Sequence, residues 1–123
     1  MRTSFVVVTG LAVALSATAG EQPEPRVTDV CIADHERLCD EDSIHSDGAM
    51  RCLMNHRQDV SHSCRSALNA RRQWVLDRMR KACTNEIAAF CAREAVDAPV
   101  RCLRHHQDQL SNACKVTLPR WMS

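Results

Sequence analysis

The sequence predicts an all-α protein made of two tandem disulfide-stapled helical-hairpin repeats joined by a long bridging helix. Three observations carry that prediction. Cysteines fall at 31, 39, 52 and 64 and again at 83, 91, 102 and 114, so C-x7-C-x12-C-x11-C is followed by C-x7-C-x10-C-x11-C. Neither Gly nor Pro interrupts the chain from Ala49 to Ala98, where Ala, Leu, Met, Arg, Gln and Glu abound; these residues lose least on entering a helix. Val75, Met79, Cys83, Ile87 and Phe90 recur at steps of three and four, which lays one apolar stripe along a helix.

Residues 1–19 read as a secretory signal peptide: Arg2 supplies the positive start, Phe5 to Leu15 is apolar, and Ala17-Thr18-Ala19 offers a small-x-small cleavage site before Gly20. The rival reading, a membrane-spanning helix, needs about 20 apolar residues, and this stretch ends short of that. Cleavage leaves 104 of the 123 residues, placing the product in a secreted or periplasmic setting without a membrane span. Residues 20–27 follow as an N-terminal linker. Repeat 1 then covers 28–69 and repeat 2 covers 70–123.

The repeats keep an offset of 52 residues at their first two cysteines and 50 at the last two, so a two-residue length difference lies between Cys39 and Cys52. Arg51-Cys52-Leu53 recurs as Arg101-Cys102-Leu103, Val60-Ser61 as Leu110-Ser111, and Leu68 as Leu118; such self-similarity marks one supersecondary unit used twice. In repeat 1, Val27, Cys31, His35 and Leu38 trace the first helical stripe. Gly48 and the polar Asp40 to Asp47 segment separate it from a second helix around Ala49 to Gln58, and the matching break in repeat 2 falls near Asp97-Ala98-Pro99. Ser61 and Ser111 are placed to cap a third segment. Nothing after Ser61 forces a stop before Cys91.

Eight cysteines in a short exported chain read as a disulfide framework. Cys31 and Cys39 stand about 12 Å apart along a helix, too far to share one metal ion. With the first two helices antiparallel, Cys39 meets Cys52 near the closed end of the hairpin, and Cys31 meets the returning Cys64. The expected bridges are therefore Cys39–Cys52 inside Cys31–Cys64, and Cys91–Cys102 inside Cys83–Cys114. Spacing alone leaves nine within-repeat pairings open, of 105 in all. A unit of roughly 50 residues is below the size at which a core alone is comfortably stable.

Cys31, Asp34, Leu38, Cys39, Gly48, Cys52-Leu53, Val60-Ser61 and Cys64, in that order, resemble the cysteine-rich repeat of the animal Golgi sialoglycoprotein known as the cysteine-rich fibroblast growth factor receptor; small exported bacterial proteins carry similar repeats. The second unit matches through Cys83, Phe90, Cys91, Cys102-Leu103, Leu110-Ser111 and Cys114, with Glu86 for the acid and no loop glycine. For the large animal members, the resemblance implies lumenal binding of growth factors and a selectin through many tandem units and a membrane anchor. This chain has two units, no anchor and no Asn-x-Ser/Thr acceptor. The module transfers; the ligand does not.

Without the signal peptide the charges balance at 15 basic and 15 acidic residues, which argues against nucleic acid as a partner. Their distribution is uneven: residues 28–69 hold eight acids and four bases, and 70–123 hold five acids and ten bases. Asp40, Glu41, Asp42 and Asp47 form an acidic loop, whereas Arg65, Arg71, Arg72, Arg78, Arg80 and Lys81 form a basic run. Solvated helix faces are the simple account of both. The sharper one makes Asp40, Glu41, Asp42, Arg71, Arg72, Arg78 and Arg80 partner contacts, with head-to-tail self-association as one outcome.

No enzyme constellation emerges. The histidines at 35, 45, 56, 62, 105 and 106 form no HxxxH pair; His56 and His106 each follow a cysteine by four residues and read as packed imidazoles. His45 among Asp40, Asp42 and Asp47 is the nearest approach to a divalent-ion site, and no cofactor is expected. Thiol catalysis usually uses C-x-x-C, and the shortest spacing here is C-x7-C. Ser61 beside His62, or Ser111 near His106, lacks the G-x-S-x-G elbow of a nucleophile. Trp74 and Trp121 read as gap fillers between units, with Trp121 as an exposed C-terminal contact the other possibility. The function these residues imply is a non-catalytic exported interaction module with an unknown protein or cell-surface partner. The alternative is an extracytoplasmic metal-handling or thiol-redox protein.

Overall fold

The structure, a computed structural model, describes residues 20, 22–39, 44–93 and 99–122. The signal peptide 1–19, the acidic trio Asp40, Glu41 and Asp42, and the Asp97-Ala98 part of the second break lie outside the described residues. Every regular element among the described residues is helical: α1 (Thr28–Leu38), α2 (Asp47–Asn55), α3 (His62–Ala82), α4 (Thr84–Phe90), α5 (Pro99–His105), a 3-10 turn (Gln107–Gln109) and α6 (Asn112–Lys115).

Four disulfides staple these helices. Cys31–Cys64 ties α1 to the start of α3, and Cys39–Cys52 joins the end of α1 to α2. Cys83–Cys114 ties the α3–α4 junction to α6, and Cys91–Cys102 joins the end of α4 to α5. Each short-loop bridge is thus nested inside a long-loop one. The outer bridges set Cα atoms 4.9 and 4.7 Å apart and the inner ones 6.0 and 5.9 Å. Corresponding bridges therefore hold helices at nearly equal separations.

Two small cores surround the sulfurs. Cys31, Cys39 and Cys64 pack with Val27, Leu53, Val60 and Leu68, while Cys83, Cys91 and Cys114 pack with Leu76, Met79, Val100, Leu103 and Leu110. Residue for residue, Val27, Leu53 and Val60 have Met79, Leu103 and Leu110 as their counterparts. Helix α3 serves both cores. Cys64 and Leu68 at its beginning lie in the first and Leu76 and Met79 near its end lie in the second, so one 21-residue helix is common to the two clusters.

Local chemistry explains where helices begin. Ser46 Oγ accepts from Ala49 N at 3.0 Å, so α2 starts at Asp47 and takes Gly48 into its first turn. Gly48 is therefore no separator, as its sequence position had suggested. Ser61 and Ser111 cap α3 and α6 by accepting from Cys64 N and Cys114 N, each at 3.2 Å; the cap satisfies a backbone donor the helix cannot. Pro99 opens α5, where its missing N–H and fixed φ are no handicap.

The caps are themselves anchored. Asp34, 7% exposed, reaches across from α1 so that its Oδ2 accepts from Ser61 N at 3.1 Å and Ser61 Oγ at 2.7 Å, while Oδ1 accepts from Arg37 at 2.8 Å. Glu86 on α4 accepts from Ser111 N at 3.1 Å. One acid thus orients each capping serine. The Ser61 bonds, then Arg37, hold the Asp34 carboxyl below its ordinary value of 3.8, and the Ser111 bonds likewise lower Glu86.

A carboxyl depressed by folding adds stability that is complete above its unfolded pKa and is lost as pH falls through its folded one. Stability against urea should therefore decline below about pH 4, and Asp34→Asn should flatten that decline. Equal acid sensitivity in the two proteins would show that Asp34 contributes nothing. At neutral pH, Asp34→Ala should cost about 1–3 kcal/mol, because it removes three hydrogen bonds to a charged, buried carboxylate, two from Ser61 and one from Arg37.

Candidate functional site

Position on α3 decides what each member of the basic run can do. Arg65, in the first turn, donates to the carbonyl oxygens of Arg57 and Gln58, both at 3.0 Å, and of Val60 at 3.4 Å. It closes the α2–α3 connection and offers no open charge. Arg80 lies 3.3 Å from Asp77 one turn back.

Residues 71, 74 and 78 follow the helical repeat and share a face. The guanidinium of Arg71 lies 5.0 Å from the Trp74 ring centroid and that of Arg78 lies 4.6 Å away. Both cations are drawn to the negative face of the indole, an interaction worth about 0.5–2 kcal/mol. Arg71 also pairs with Glu24, and Trp74 Nε1 donates to Gln22 O at 2.8 Å. Partial burial, then the positive charge of Arg78, lowers the Arg71 pKa, which leaves a guanidinium fully charged at any ordinary pH.

These contacts revise the sequence reading at two points. The linker 20–27 is no free tether in its described part, since Gln22, Glu24 and Val27 fasten it to α3 and to the first core. Arg71 is correspondingly half-buried and engaged, so of the expected contacts Arg78 is the exposed one, while Arg72 and Arg80 are half-buried and Arg72 points away from the Trp74 face. Asp40, Glu41 and Asp42 lie outside the described residues. The signal for the linker's role was Gln22 and Glu24 facing a run of arginines, but only the fold brings them within reach.

Trp121 packs as a gap filler and is not an exposed contact, whereas Trp74, read only as a gap filler, is less enclosed. Trp121 is 8% exposed and lines a cleft of about 410 Å³ with Val27, Ile44, Met50 and Arg71, so the C-terminus packs against the first half. Arg51 donates to Arg120 O at 3.1 Å beside it. Trp74 stays half-exposed on α3.

Histidines and serines occupy structural places. The His106 ring stacks on Phe90 at 4.7 Å, and His56 Nδ1 is 3.4 Å from Asp59. His35 is buried in α1, while His62 and His105 are exposed. His45 lines the cleft that holds Trp121, and among the described residues no three of His, Cys, Asp and Glu converge as metal ligands. Ser61 Oγ donates to Asp34, not to an imidazole. All eight cysteines are bridged, and no described helix is long and apolar enough to cross a membrane.

Comparison with family models, with curated proteins and with solved structures finds no match to this chain. Function has to be argued from its own surface.

Proposed function

We propose that this protein is a non-catalytic exported cysteine-rich repeat protein, a disulfide-stabilised helical module that presents the Trp74 face of α3 to an acidic protein or cell-surface partner. The observation that carries the reading is Trp74 held half-exposed between Arg71 and Arg78. Tryptophan and arginine dominate the energetics of recognition surfaces, because a rigid aromatic and a planar cation bind strongly at small entropic loss. Cys31–Cys64 and Cys83–Cys114 fasten the two ends of the helix that carries that face. They also suit an oxidising compartment, as does the signal-like segment at 1–19. The likeness to cysteine-rich repeats supports a modular binding role without naming a ligand.

The test is capture of a partner from native extract, followed by identification and a direct binding titration with the purified partner. Changing Arg78 to Glu should weaken binding by at least about tenfold, since a lost charge-assisted bond contributes about 1.5–3 kcal/mol. Wild-type binding should also fall as salt rises from about 0.05 to about 0.5 M, where exposed charges are screened. Binding that is indifferent to both changes would remove this face from the account.

A further inference from the structure

We infer that the second half carries an anion-binding cleft, built from Arg104, Lys115 and Arg120, that takes a phosphate or sulfate ester group. The cleft is distinct from the Trp74 face and shares none of its residues. Arg104, Gln107, Lys115, Leu118 and Arg120 line an open cleft of about 280 Å³, and no carboxylate among the described residues lines it. That volume is just under the 300–1,000 Å³ of a drug-sized pocket, so it has room for one oxyanion group together with part of its carrier. Three cations around one concavity reinforce each other's field there.

The corresponding residues of the first half show how the cleft arises. With the offset of 50, Arg104, Lys115 and Arg120 stand where that half has Met54, Arg65 and Ala70. Arg65 spends its guanidinium on three carbonyl oxygens and fills the turn. Lys115 has a shorter head group and makes none of those bonds among the described residues, so its ammonium stays available in the cleft.

Arg104 is held differently. One of its nitrogens donates to Pro119 O, which fixes the guanidinium while leaving its other N–H groups for a ligand. Pro119 itself replaces Asn69 of the first half. Whereas α3 runs on through Asn69, α6 ends at Lys115 and the chain turns before Pro119, so that Arg120 comes to the rim. Arginine forks and a lysine point charge together are the usual recognition chemistry for tetrahedral oxyanions.

Oxidised protein labelled with 15N, at low salt, would be titrated with glucose 6-phosphate and separately with glucose 6-sulfate. Saturable amide shifts centred on residues 104, 115 and 120 are expected with at least one of them, and the tighter ligand identifies the source of the group. Arg120→Glu and Lys115→Gln should each weaken that binding by about tenfold or more while far-UV circular dichroism stays unchanged. The Arg78→Glu protein should bind as wild type does, so this cleft and the Trp74 face succeed or fail separately. No saturable shift with either sugar would overturn the proposal. So would affinity within about twofold of wild type in both cleft variants.

Discussion

Treating the oxidised protein with a reductant at about 37 °C should collapse its far-UV helical signal. The two cores are small and each has sulfur at its centre, with Cys31, Cys64, Cys83 and Cys114 fully buried. In the chain-entropy model the outer bridges, spanning 33 and 31 residues, contribute about 3.7 kcal/mol each; the inner ones, spanning 13 and 11, contribute about 2.8. Nested bridges restrict overlapping stretches of the unfolded chain, so these values do not add. They nevertheless rival the whole stability expected of a domain this size, about 5–15 kcal/mol. Replacing Cys31 and Cys64 together by Ser should therefore lower the urea midpoint more than replacing Cys39 and Cys52. Full helicity in the reduced protein would refute the structural role of all four bridges.

Truncating Met79 should be nearly as damaging. Its side chain is fully buried in the second core, on the helix that also enters the first. Met79→Ala removes three heavy atoms from a site closed by Cys83–Cys114 and Cys91–Cys102, where bridged backbone cannot collapse to fill the space. A loss of about 2–5 kcal/mol is expected, read as a lower urea midpoint at unchanged slope. Val116→Ala supplies the control: that side chain is 83% exposed, and its loss should stay within about 0.5 kcal/mol. A Met79 variant as stable as the Val116 one would mean that the second core does not depend on packing.

Much of the helical architecture was legible because its causes are local. Cysteine spacing placed sulfur on the buried side of each helix, and Ser61 and Ser111 stood where caps belong. The stripe Val75, Met79, Cys83 was readable for the same reason, although the helix breaks at Cys83 and restarts as α4. Gly48 misled because a capping Ser46 two residues earlier overrides a single glycine's weak preference. The basic run was visible as composition only. That Arg65 closes a turn, Arg71 pairs with Glu24 and Arg78 lies over Trp74 depends on distances that no linear pattern encodes.

Periodicity and cysteine count were enough to determine that this chain is helical and fastened by sulfur, since helix preference and helical facing act within a few residues. The tertiary structure alone decided that residues 22–27 lie along α3, that Asp34 and Glu86 each anchor a capping serine, and that the chain beyond Pro119 returns Trp121 to the first half. Those contacts join groups from 25 to more than 90 residues apart. Only the folded path brings such groups within the few ångströms over which hydrogen bonds and packing act.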